Sequence, residues 1–152
     1  MQVKLLREGA RMPERAHPTD AGADVFYCPN GRQASARYDE DRGGVLIPPR
    51  MSVVIPTGIS VAVPVGYMWE IKNKSGIASK QNLVVGACVI DSDYRGEIYI
   101  NLHNIGVESR LIMPGQKIAQ GVLIAVNCCE FEEVKELNDT VRGSGGFGST
   151  GV

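Results

Sequence analysis

From position 45 onward the apolar residues come in short β-branched runs, 45–47, 52–55, 59–63 and 67–71, each broken off by proline or glycine. Runs this short and this closely spaced predict the strands of an all-β barrel or jelly roll. Upstream, 3–6 and 23–27 read as strands, and the glycine-, proline- and aspartate-containing stretch 9–22 between them reads as a loop. Segment 29–44 has no usable periodicity and carries Asn30-Gly31 and Gly43-Gly44, which predicts a surface loop or excursion. One or two helical turns are expected over 75–81, with Ser75 as N-cap, and no longer helix anywhere. Two β-rich arms, 84–90 and 97–102, flank an acidic, aromatic and basic turn, the pattern of a hairpin with polar groups at its tip. Beyond it 110–113, 117–125 and 126–131 are again strand-like. After Leu137 the chain loses its apolar positions, and RGSGGFGSTGV cannot pack a core of its own. Such a tail is either mobile or ordered by something else.

Composition narrows the class. A chain of 152 residues that is 43% hydrophobic is one domain's worth and can bury a core without disulfides or metals. A net charge of −1 gives no basic footprint, so neither a nucleic acid polymer nor an anionic membrane is expected as partner. Cys28, Cys88, Cys128 and Cys129 form no C-x-x-C pair and have only His17 and His103 for company, which spells no zinc site. They read as reduced thiols, and with no apolar signal core or bilayer-length run the expectation is a soluble, cytoplasmic protein.

Chemistry concentrates at the hairpin. Gly86, Ala87 and Cys88 are small, leaving main-chain groups open to a ligand lying along the strand edge. Asp91 follows Val89 and Ile90, a setting that holds a carboxylate at the rim of a dry pocket, although an ordinary hairpin with a charged turn has the same pattern. Lys74-Ser75-Gly76 places a cation, a hydroxyl and free N–H groups at a helix start, an anion site if it is more than a cap. Gly143, Gly145 and Gly148 match G-x-G-x-x-G, but the strand before and the helix after that a dinucleotide fingerprint needs are missing. What remains is a flap whose N–H groups and Arg142 could close over phosphates while Phe147 stacks on a flat ring, or a disordered tail. Asp24 in Ala21-Gly22-Ala23-Asp24 and Lys117 with Gln120 add polar groups that name nothing alone.

Taken in order, these pieces resemble the five motifs of the trimeric dUTPase family: AGADV at 21–25, KSGIASK at 74–80, GACVIDSDYRGEIYINLHN at 86–104, GQKIAQ at 115–120 and RGSGGFGSTG at 142–151. The resemblance implies a distorted jelly-roll subunit of the β-clip type spanning 1–137, with a surface insertion at 29–44, and a flexible arm at 138–152 that closes a neighbouring subunit's site. It implies a homotrimer with shared active sites that hydrolyses dUTP to dUMP and pyrophosphate with Mg²⁺. Asp91 would be the general base for the water attacking the α-phosphorus. Ala87, Cys88 and Tyr99 would bind uracil, and Tyr94 would exclude a 2′-hydroxyl. Lys74, Ser75, Gly76, Gln120, Arg142, Gly148 and Ser149 would hold the phosphates, Phe147 would cover the base, and Asp24 would meet Mg²⁺ through water.

Departures and rivals follow from the same residues. The second motif usually opens with arginine, and Lys74 offers a point charge in place of a planar two-donor fork; Lys117 likewise stands where arginine is common. Segment 29–44 is longer than the usual connection, either as a neutral insertion or as a contact site for another protein. The related dCTP deaminases carry phenylalanine where this chain has Tyr94 and a catalytic glutamate where it has Asn101, so deamination lacks its proton shuttle. A trimeric binding or regulatory protein using 29–44 is the other alternative, against which the intact Asp91, Tyr94 and Phe147 speak.

Overall fold

The computed structural model describes residues 1–30, 37–39 and 43–146, with the side chains of 37–39 excepted. Eleven strands and one helix appear among them: β1 (Gln2–Leu5), β2 (Gly22–Phe26), β3 (Arg37–Asp39), β4 (Gly44–Ile47), β5 (Ser52–Ala62), β6 (Tyr67–Lys72), α1 (Ser75–Gln81), β7 (Leu83–Val85), β8 (Val89–Ile90), β9 (Glu97–Asn104), β10 (Arg110–Ile112) and β11 (Lys117–Ala125). They form three antiparallel sheets in the orders β1-β5-β9-β7, β2-β11-β6-β8 and β10-β4-β3. The all-β expectation with one short helix holds. No helix among the described residues is long and apolar enough to cross a membrane.

Alternation builds the core. Along β9, Ile98, Ile100 and Leu102 are buried, while Glu97, Tyr99, Asn101 and His103 lie on the other face. The buried set meets Val53, Ile55, Ile59 and Val61 of β5 and Val45 and Ile47 of β4 between the sheets. On β6 the indole of Trp69 is fully buried and occupies the space a Cβ at Gly121 would need, so β11 can pass only as glycine there. Asn104 closes β9: its amide donates to the carbonyls of Ile47 (2.9 Å) and Glu108 (2.8 Å) and accepts from the Gly106 N–H (3.0 Å). Those three bonds let a polar side chain stay buried.

Several expectations are corrected. The arm over 84–90 is not one strand: β7 pairs with β9, whereas β8 pairs with β6 in another sheet, so the chain changes sheets across Gly86, Ala87 and Cys88. Runs 52–55 and 59–63 are one strand, β5, because Pro56 and Gly58 make a bulge and not a break; Gly58 sits at φ +71°. Segment 126–131 forms no strand, for it finds no partner edge and Phe131 points into solvent. The loop expected over 29–44 contains β3, paired with β4; most of the rest lies outside the described residues. Ser75 is not the N-cap: Lys74 takes that position with extended backbone and no side-chain cap bond, and Ser75 is the first helical residue.

Candidate active site

The tip between β8 and β9 is held from within. The Asp91 carbonyl accepts the Tyr94 N–H (3.3 Å), the Tyr94 hydroxyl donates to the Glu97 carbonyl (3.0 Å), and Arg95 donates to the carbonyls of Ser92 and Tyr94, both at 2.8 Å. A Cβ at Gly96 would run into the Tyr94 ring, so only glycine lets the turn close on that phenol. Behind the turn lies a cavity of about 180 Å³ lined by Val89, Ile90, Asp91, Tyr94, Glu97, Ile98 and Tyr99. Apolar residues form one wall, and Asp91, Tyr94 and Tyr99 remain partly exposed at its mouth. Burial, and after it the Glu97 carboxylate, pushes the Tyr99 phenol up from its ordinary value, so it stays a neutral hydroxyl; it accepts from the Asn30 amide at 3.2 Å.

Next to this cavity the chain crosses between sheets. The Gly86 N–H donates to the Asn101 carbonyl (2.9 Å), and the Cys88 carbonyl accepts from the Ile71 N–H (2.8 Å). Between them the main-chain N–H and C=O of Ala87 carry no hydrogen bond among the described residues. Gly86 is packed so closely under Asn101 and His103 that a side chain there would collide with both. The result is an exposed donor and acceptor beside an apolar wall, the arrangement that reads a flat polar ring.

A second cluster is built where β2, β11 and α1 meet. Asp24 on β2 faces Gln120 across the β2–β11 ladder. Its buried carboxylate is shared: Lys74 Nζ lies 2.6 Å from Oδ1 and Lys117 Nζ lies 2.7 Å from Oδ2. Burial alone would push this carboxyl up, but the hydrogen bonds and charges of Lys117 and Lys74 outweigh it and hold Asp24 below its usual range. The bond from Asp24 in turn raises Lys117. Gln120 donates to the Asn73 carbonyl (2.9 Å), and a Cβ at Gly22 would strike its amide. A cavity of about 310 Å³ opens here, lined by Ala16, Asp20, Gly22, Asp24, Lys74 and Gln120. Ser75 and Gly76 are exposed at its helix end.

The structure therefore gathers Asp91, Tyr94 and Tyr99 in one cavity, with Ala87 and Cys88 beside it, and Asp24, Lys74 and Gln120 in another. The two share no lining residue. Arg142 belongs to neither; its Nε donates to the Gly145 carbonyl (2.8 Å) in an exposed turn of its own. Phe147, Gly148 and Ser149 lie outside the described residues. Sequence reasoning missed the ion pair of Arg7 with Glu97 beneath the hairpin, since the partners stand 90 positions apart and only Glu97 falls in a motif.

Three comparisons bear on this geometry. The sequence model of the dUTPase family matches residues 8–151. A deoxyuridine 5'-triphosphate nucleotidohydrolase of Solanum lycopersicum is 40% identical over 151 residues, covering 99% of this chain and 81% of that protein. The dUTPase of Staphylococcus bacteriophage 80alpha, solved with dUPNHPP, superposes with a TM-score of 0.83 at 33% identity, covering 99% of this chain and 98% of the other. A variant dUTPase of phage phi11 of S. aureus, whose structure details the coordination of a structural Mg(II) ion, gives 0.75 at 30% identity over 91% of this chain and 98% of its own.

Proposed function

Because the chain belongs to the dUTPase family and so hydrolyses dUTP to dUMP and pyrophosphate, we propose that its two cavities divide the substrate between them. The hairpin slot takes the nucleoside and the lysine cluster takes the triphosphate. The observation that carries this is the pairing, in one cavity, of an exposed carboxylate with an apolar wall next to the unbonded main chain of Ala87.

Uracil presents an N–H between two carbonyls, which the main chain at Ala87 and Cys88 and the neutral Tyr99 hydroxyl complement; the amino group of cytosine would meet a donor. The Tyr94 ring closes the space a 2′-hydroxyl would need. Asp91 accepts a proton from the water whose oxygen bonds to the α-phosphorus as the bond to the pyrophosphate oxygen breaks. Lys74, the N–H groups of Ser75 and Gly76, and Gln120 receive the phosphates, where an ammonium and helix-end donors stabilise developing charge.

Magnesium fits this chain as an ion carried by the triphosphate. No group of three or more His, Cys, Asp or Glu among the described residues is placed to hold a metal, and both Asp24 oxygens lie on lysines. Bound there it would neutralise phosphate charge and hold the chain of phosphates in one geometry. Asp24 would face its hydration shell once Lys74 turns toward phosphate.

The likeness to the trimeric dUTPases implies a homotrimer as the active unit, with the slot of one copy completed by the cradle of another, a reading supported by the two cavities sharing no lining residue in one chain. On this reading the chain would divide into a β domain at 1–137 and an arm at 138–152. Arg142, Phe147, Gly148 and Ser149 would close over the nucleotide from a third copy, their ordering offset by ligand contacts. Segment 29–44 would be a surface insertion, whose strand β3 adds an outer edge to the β10-β4-β3 sheet.

The test is hydrolysis of dUTP, dCTP, dTTP and UTP side by side with Mg²⁺. The expected result is pyrophosphate release from dUTP in large excess over the other three. Equal turnover of dUTP and UTP would remove Tyr94 as sugar selector, and equal turnover of dUTP and dCTP would remove the main-chain reading of the base.

A further inference from the structure

Beneath the hairpin lies a charge pair that the proposed division of labour leaves unused. Glu97 is the first residue of β9, directly opposite the bulge in β5. Its Oε1 accepts the Gly58 N–H (2.9 Å) and one Arg7 nitrogen, and its Oε2 accepts the other (3.2 Å). The same guanidinium donates to the Cys28 carbonyl (3.3 Å), so one side chain ties the end of β1, the segment after β2 and the start of β9. This two-point grip is specific to arginine. The floor under it takes only glycine, for Gly58 has φ +71° and a Cβ there would lie 2.7 Å from Ala10 and 2.9 Å from Cys28 Sγ.

The other side of Glu97 faces the nucleoside slot. Its carbonyl accepts the Tyr94 hydroxyl at 3.0 Å, and the residue lines the same cavity as Asp91, Tyr94 and Tyr99. Neighbouring bonds fix the same strip of chain, from Ser60 Oγ to the Arg95 carbonyl (2.7 Å) and from Thr57 Oγ1 to the Ile98 carbonyl (2.6 Å). The Tyr94 hydroxyl is thus tied to the Glu97 main chain, and the Glu97 side chain is tied to Arg7. Arg7 stands one residue before the stretch that the family model matches.

We propose that Arg7 and Glu97 are positioning residues that hold the Tyr94 ring against the sugar and thereby set the preference for deoxyribonucleotide. This rests on the reading of Tyr94 as sugar selector. An ion pair that served folding alone would, when broken, lower activity on every nucleotide by one factor. A pair that aims the selecting ring lowers the ratio between dUTP and UTP, because small misplacements of a positioning group change rates steeply.

The experiment measures kcat/KM for dUTP and for UTP with Mg²⁺ on the full chain, comparing wild type with Arg7→Met, Arg7→Lys and Tyr94→Ala. Arg7→Met should lower the dUTP/UTP ratio about tenfold, with dUTP falling and UTP holding or rising. Arg7→Lys, which keeps a cation without the fork, should fall between it and wild type. Equal losses on both substrates, or an unmoved ratio, overturn the proposal. If Arg7→Met fails to fold, Arg7→Lys is judged alone by the same two outcomes. A wild-type ratio in Tyr94→Ala would sink the reading of Tyr94 and this inference with it. A collapsed ratio in Tyr94→Ala beside an unmoved one in the Arg7 variants would sink this inference alone.

Discussion

The hairpin slot and the lysine cluster differ in how their chemistry is kept available. At the slot, structural groups absorb one another: Arg7 with Glu97, Ser60 with the Arg95 carbonyl, Tyr94 with the Glu97 carbonyl. Asp91 takes no part in these pairs and stays exposed. At the cluster the groups proposed to bind phosphate are the paired ones, since Lys74 spends its ammonium on Asp24. One region is a rigid frame around an open carboxylate, and the other is closed on itself and must exchange an internal partner for a ligand. On the proposed roles, recognition of the base would be prepared in advance, whereas the grip on phosphate would require competition with a buried acid.

The contrast can be broken first at its open end. Asp91→Asn should lower kcat by at least about a hundredfold while nucleotide binding stays measurable by calorimetry; near-normal turnover would remove Asp91 as the base. Deleting the residues after Val141 should leave the assembly unchanged by light scattering and cost at least about tenfold in pyrophosphate release, and a tail-less chain with full activity would refute the closing arm.

The closed end gives smaller effects. The depressed Asp24 carboxyl contributes stability that is whole above about pH 4 and is lost as pH falls through its folded value. Asp24→Asn should therefore melt a few degrees below wild type at neutral pH, with the gap narrowing toward pH 3. A gap that held constant in acid would mean that the pairing with lysine is not its source. Lys74→Arg should have the smallest effect, a fall of about threefold in KM for dUTP, because a fork can hold Asp24 and phosphate together. A rise in KM would show that a single mobile ammonium suits this cradle better.

Much of this was legible from residue order, and the exceptions have local causes. Helix α1 and strand β11 appear at the expected positions because each carries an uninterrupted pattern of its own. Strand β5 does not, since Pro56 and Gly58 read as a break until the cross-strand partner Glu97 fills the bulge. The stretch 126–131 has β-formers but no neighbouring edge, and pairing decides where propensity does not. The pairing of Asp24 with Lys117 follows from the β2–β11 ladder, and that of Arg7 with Glu97 from a path through three strands. Contacts of that sequence separation leave no local trace.

The crossing at Gly86, Ala87 and Cys88 has a consequence for heat. The groups proposed to read the base belong to neither layer but to the seam between them, so a slight shear of one layer over the other would misalign donor and acceptor while both layers stayed intact. Discrimination against cytosine should accordingly soften at temperatures below the cooperative melt, making fidelity the earliest casualty of warming.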